Sequence, residues 1–177
     1  MIPLITYVLE DMNKQLERME RSLNLLNEDL VWNRTKTSMN SIGNLCLHLA
    51  GNEYQNVVSA IGNRPFVRER TREFTAEGGM SKEELIRLLR ATRSQSEEIL
   101  SALTEEDLSR EVIIRFERED WNRMHRSNAS EGETCDTRVI GRLLVQVAAH
   151  YGYHAGQIVV LAKMLQDNDV HVSGQYH

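Results

Sequence analysis

The chain of 177 residues has little cysteine and little proline, two of each, and aromatic side chains make up 6% of it. Two cysteines, Cys46 and Cys135, are too few for a disulfide-built scaffold and fit a reducing compartment. Two prolines and few alternating β-branched runs leave helix as the default local structure. A basic excess is also missing. Twenty-one Lys and Arg stand against 26 Asp and Glu, a net charge of −5, which argues against a general nucleic-acid binder. The arginine clusters from Arg64 to Arg72 and from Arg115 to Arg126 are mixed with acids; they read first as solvated loops and second as anion-binding surface. No apolar run approaches the roughly 18 residues a membrane span requires, and the start shows no basic leader of a secretory signal. The expectation is a cytoplasmic protein without membrane or nucleic-acid partners.

What is present is an ordinary globular balance, 41% hydrophobic and 27% charged, at a length that suits one domain with a substantial core. Residues 4–26 carry Ile5, Val8, Met12, Leu16, Met19, Leu23 and Leu26 at steps of three and four, the stripe of a long helix with a charged outer face. Trp32, in the polar connection that follows, is expected to plug one end of the core. A second helix runs from Asn40 or Ser41 to about Ile61, with Ile42, Leu45, Leu49 and Val57 inward, and Gly62-Asn63-Arg64-Pro65 ends it.

Pro65 to Met80 reads as a long connection. Ser81-Lys82-Glu83-Glu84 is a capping box opening a third helix from Lys82 to about Leu103, and Thr104 to Asp107 resembles a further cap for one short turn. Val112, Ile113, Ile114 and Phe116 suit a short strand, residues 126–133 a mobile loop, and Asp136 or Thr137 the cap of a fourth long helix ending at Leu165. Four amphipathic helices joined by two long crossovers make an all-α four-helix bundle the natural solution, one domain over 1–166 with a tail at 167–177. Patterning leaves the helix order open. His171 and His177 in the tail are expected to be solvated.

Chemistry concentrates in the fourth helix, at His150-Tyr151-Gly152-Tyr153-His154. Histidines four apart share a helix face, so their imidazoles can converge on one ion, although ordinary hydrogen bonding would satisfy them as well. His48 lies among the apolar residues of the second helix, on a face with Leu45, Leu49 and Asn52. Alone it reads as a satisfied core histidine; beside the other two it completes a three-histidine set suited to zinc, nickel or ferrous iron, with manganese a further option. Cys46, two positions away on the helix, turns away from that face, and His125 sits in a loop. Asn44, Asn52, Gln146 and Gln157 are placed to hydrogen-bond the ligands from behind, and equally to bond water or backbone at the open end of a bundle. Glu53 is a weak candidate for a general base, because its spacing from His48 turns it off the ligand face. Tyr151 and Tyr153 suit core and rim packing. Gly152 and Gly156 are expected to permit close helix contact, despite a cost of about 1 kcal/mol for glycine within a helix.

With Asn40-Ser41-Ile42-Gly43-Asn44-Leu45 running into His48-Leu49-Ala50-Gly51-Asn52, and with His150 to Ile158 and the arginine-rich Arg68 to Phe74, the chain resembles the DinB-like superfamily, which includes bacillithiol and mycothiol transferases. That resemblance implies a four-helix bundle, often a homodimer, with a divalent metal on His48, His150 and His154. It implies in turn an enzyme that activates a low-molecular-weight thiol, as an S-transferase, or water, as a hydrolase. The competing class is a non-catalytic metal-binding or stress-linked dimeric binding module. The sequence departs from the pattern at Glu53-Tyr54-Gln55-Asn56, where the closest branch often has an arginine and a tryptophan, so no substrate carries over and the catalytic residues stay unknown.

Overall fold

The structure, a computed structural model, describes residues 2–126, 130 and 134–172. Four long helices dominate it: α1 (Pro3–Asn24), α2 (Ile42–Glu53, continued as one π-helical stretch Tyr54–Ile61), α4 (Lys82–Ser101) and α6 (Ile140–Leu165). Their faces follow the apolar periodicity. Ile5, Val8, Met12, Leu16, Met19, Leu23 and Leu26 from the first segment meet Ile42, Leu45, Leu49 and Val57, then Leu85, Leu89 and Leu100, then Ile140, Leu144, Val147, Tyr151 and Ile158. The chain is therefore an all-α four-helix bundle with one continuous apolar core. α1 packs on α6 and α4, and α2 packs on the same two, so α1 and α2 stand diagonally across the bundle. That arrangement answers the helix order that patterning left open.

The ends of the helices are set locally. Ser81 Oγ accepts the Glu84 N–H at 3.2 Å while Glu84 Oε2 accepts the Ser81 N–H at 2.8 Å, the capping box read from the sequence. Asp107 accepts from both the backbone and the hydroxyl of Thr104 at 2.9 Å, and a 3₁₀ turn, Glu106–Ser109, follows. Trp32 closes one end of the core: its indole N–H donates to Met80 O at 2.8 Å, and its ring lies where a Cβ on Gly43 would stand, so only glycine fits there.

Three features differ from the sequence expectations. The Pro65–Met80 connection contains a short helix, α3 (Arg70–Thr75), which apolar periodicity could not announce in six largely polar residues. Asp136 and Thr137 do not cap the last helix. They lie in a strand, β2 (Cys135–Val139), paired antiparallel with β1 (Glu111–Arg115) from Glu111↔Val139 to Arg115↔Cys135, and Val139 takes the N-cap position. Another short helix, α5 (Arg118–His125), lies between the two strands in sequence, so His125 ends a helix rather than sitting in a loop. The loop expected at 126–133 lies mostly outside the described residues, as does His177; in the tail, residues 167–171 with His171 are exposed and Val172 is buried. Among the described residues no helix is long and apolar enough to cross a membrane.

Candidate metal centre

Helix geometry brings His150 and His154 onto one face of α6, and the α2–α6 contact presents His48 to them. The three rings sit 4.6 to 4.9 Å apart between centroids, each pair edge to face. One nitrogen from each lies within 4.8 Å of the others, and His48 Nε2 is 3.0 Å from His150 Nε2. A tetrahedral ion with metal–nitrogen bonds of about 2.0–2.1 Å needs donors about 3.3 Å apart, so the His48–His150 pair is already near that spacing and the wider pairs would draw in around a divalent cation. Without a cation only one of the two facing nitrogens can carry a hydrogen. His48 Nδ1 already donates to the Glu73 carboxylate, so His150 Nε2 must donate to His48 Nε2, and His150 Nδ1 is left buried without a partner among the described residues.

Burial keeps these imidazoles neutral, the form a metal requires. It lowers the pKa of His150 to about 3, with the neighbouring His48 and His154 adding to the effect. His48 and His154 are lowered by burial too, against the opposing hydrogen bonds from Glu73 and Gln157. His154 Nδ1 meets Gln157 Oε1 at 2.7 Å, which points its Nε2 the other way.

The support behind His48 is the part that sequence reading missed. Glu73, on α3, accepts from His48 Nδ1 at 2.9 Å, and Arg68 grips the same carboxylate at two points, Nε to Oε1 at 2.6 Å and Nη2 to Oε2 at 2.8 Å. Burial by itself would raise the Glu73 carboxyl, but the hydrogen bonds from Arg68 and His48 outweigh it and hold the group below its ordinary range. Gln55 accepts from Arg68 Nη1 and donates to Arg115 O, tying the clamp to β1. Arg68 and Glu73 are each 6% exposed, which corrects the reading of the 64–72 arginine run as solvated loop. The available signal was an acid five residues beyond an arginine in a connection otherwise too long for a bundle. Glycine makes the approach possible: a Cβ on Gly51 would overlap the Glu73 carboxylate.

The other expected supporting residues divide. Asn44 does not touch a histidine; it completes the Ser41 capping box and donates to Glu73 O at 3.0 Å and Ala76 O at 2.7 Å, so it holds α3 in place. Arg34 helps from the far side by donating to Phe74 O at 2.6 Å. Gln146 is exposed and lines, with Asn52, a cleft of about 400 Å³ beside His150. Glu53 lies off the site, as its spacing indicated, in a two-point pair with Arg93 at 2.8 and 3.0 Å. Cys46 is fully buried, its thiol pushed up to about 12 by burial, and is inert there. His125 stacks on Trp121 at 4.0 Å between centroids, away from the cluster. Tyr151 is in the core and Tyr153 is 65% exposed. The expectation for Gly152 and Gly156 is not met within the chain: among the described residues a Cβ at either would meet nothing within 4 Å.

No curated protein matches the chain. The model of the DinB superfamily matches residues 12–158, a span that holds α2 and α4 whole, most of α1 and α6, the Glu73 clamp and all three clustered histidines. With a bundle of this kind and that match over most of its length, the chain belongs to the DinB superfamily.

Proposed function

We propose that this protein is a metal-dependent enzyme in which His48, His150 and His154 hold one divalent ion, zinc or nickel before iron or manganese, and that its substrate is a low-molecular-weight thiol. The observation that carries the reading is the ligand count. Among the described residues the cluster gathers three histidines and no fourth cysteine or carboxylate, and Glu73 stands behind His48 rather than inside the ring of donors. Structural zinc sites close with four protein ligands, whereas catalytic ones keep three and leave a position for substrate.

Bound there, such an ion supplies a nucleophile near neutral pH, by holding a thiol as its thiolate or by lowering the pKa of water toward about 7. The chain's own residues do the positioning. Glu73 accepts the Nδ1 hydrogen of His48 and fixes the tautomer whose Nε2 faces inward. Arg68 keeps that carboxylate charged and immobile through two parallel hydrogen bonds. Gln157 orients His154 in the same manner. Phe74, its ring 4.8 Å from that of His48, covers one side of the site with apolar surface and limits water there. The thiol reading draws on the resemblance to thiol transferases; hydrolysis by activated water is the variant within the same class.

The test is metal content of protein purified without a histidine tag or added metal, beside a His48/His150/His154 triple alanine variant. About one equivalent in the wild type and none in the variant supports the site, and metal-dependent conjugation of a thiol to monochlorobimane then supports the reaction. Equal metal in both proteins rules out the ligand set. A metal-loaded protein inert toward thiols favours the hydrolytic variant or a non-catalytic binding module.

A further inference from the structure

Arg70 is the first residue of α3 and half-buried, yet among the described residues it takes part in no hydrogen bond and no salt bridge. Its neighbours in the run differ: Arg68 is saturated by Glu73 and Gln55, and Arg72 reaches Glu69 in the solvent at 3.4 Å. The Arg70 guanidinium lies over the face of Phe74, its Cζ 5.6 Å from the ring centroid, and that ring is the one 4.8 Å from His48. That cation–π contact leaves the guanidinium donors unused. Two acids are close enough to act on it electrostatically, Glu73 and Asp120, but neither makes a hydrogen bond or salt bridge to it. Glu73 serves Arg68 and His48, and Asp120 accepts from Thr71 Oγ1 at 2.9 Å. Burial lowers the pKa of Arg70, and its positive charge adds to the depression of all three histidines, so it lies electrically within their site.

A partly desolvated cation with no hydrogen-bonded counterion is costly, and a divalent ion held by three neutral imidazoles would add further positive charge beside it. An anion placed between them relieves both. We propose that Arg70 binds the carboxylate of the small molecule whose reactive atom sits at the three-histidine site, and so selects anionic over neutral substrates. This rests on the metal-site reading above. A planar guanidinium with free, parallel N–H groups suits the two oxygens of a carboxylate, and its contact with Phe74 holds it on the His48 side of α3.

The test is equilibrium binding, by calorimetry, of ω-mercaptoalkanoates of increasing chain length, each against its neutral amide. Zinc-loaded wild type, Arg70→Gln and Arg70→Lys are compared, with zinc stoichiometry and a thermal melt recorded for each. The expected result is a preference for the acid of roughly tenfold or more at the best chain length in the wild type. Arg70→Gln should lose that preference while keeping its zinc and its affinity for the amide, and Arg70→Lys should keep part of it, because the charge remains and the planar fork does not. A wild-type preference that survives in Arg70→Gln overturns the assignment, as does a loss in that variant shared equally by acid and amide. If Arg70→Gln does not fold, a full wild-type preference in Arg70→Lys overturns the two-point carboxylate contact, and a reduced one supports it. Failure of the wild type to take up zinc overturns the metal-site reading together with this one; normal uptake without any acid preference overturns this one alone.

Discussion

Glu73 shows how much of a metal site can rest on a residue that never touches the metal. Its carboxylate fixes His48 and is itself fixed by Arg68, so the charge matters more than the volume. Glu73→Gln keeps the volume but strands the buried Arg68 charge, so it is expected to lower stability and, in the folded protein, to weaken metal affinity roughly 10- to 100-fold; competition against a chromophoric chelator measures it, and unchanged affinity would remove Glu73 from the site. The histidines give a pH prediction for the metal-free protein. In the unfolded chain they protonate near pH 6.5, whereas burial lowers all three in the folded protein, His150 to about 3. Between those values the unfolded state binds more protons, so stability falls as pH falls from about 6.5 toward 3. Melts of the metal-free protein across that window should show Tm dropping, with a shallower slope in His150→Gln; an identical slope in that variant would contradict the depressed pKa.

At the scale of elements, two junctions hold the bundle in the geometry the site needs. α3 is a short helix with no apolar stripe of its own, docked by Asn44 and Arg34 through the backbone carbonyls of Glu73, Phe74 and Ala76. The other junction is Arg93 of α4, which meets Glu53 of α2, Asn13 of α1 at 2.6 Å, and the ring of Tyr151 of α6 at 4.8 Å, touching every helix of the bundle. Removing one partner of a buried pair strands the other's charge. Glu53→Ala is therefore expected to cost about 3–5 kcal/mol of stability, read as a lower urea midpoint, with metal stoichiometry at full folding unchanged. A stable variant lacking metal would instead put Glu53 in the site. Arg93 and Glu53 are 40 positions apart on separate helices, and no periodicity links them.

For the whole molecule, family membership motivates one more expectation. We propose that the chain forms a homodimer; light scattering should then give about twice the 20.4 kDa of one chain, and a monomer at every practical concentration would refute it. The bundle itself was legible because its determinants are local. The steps of three and four from Ile5 to Leu26, the Ser81 capping box and the i, i+4 histidines each act within a few residues, and the helices they foretell are present. The overlooked elements have weak local signals: α3 and α5 are short and polar, and β2 becomes a strand only because β1 pairs with it.

The sequence by itself determined the four amphipathic helices and the candidate histidines, because side-chain spacing along a helix follows from its pitch alone. Tertiary structure alone decided the order of the helices around the core, the short contact of His48 with His150, and the burial of Arg68 and Glu73 behind them. Those depend on which surfaces meet across long stretches of chain. An arginine and a glutamate in a polar run look the same whether water or an imidazole surrounds them, and only packing supplies the desolvation that turns them into parts of a site.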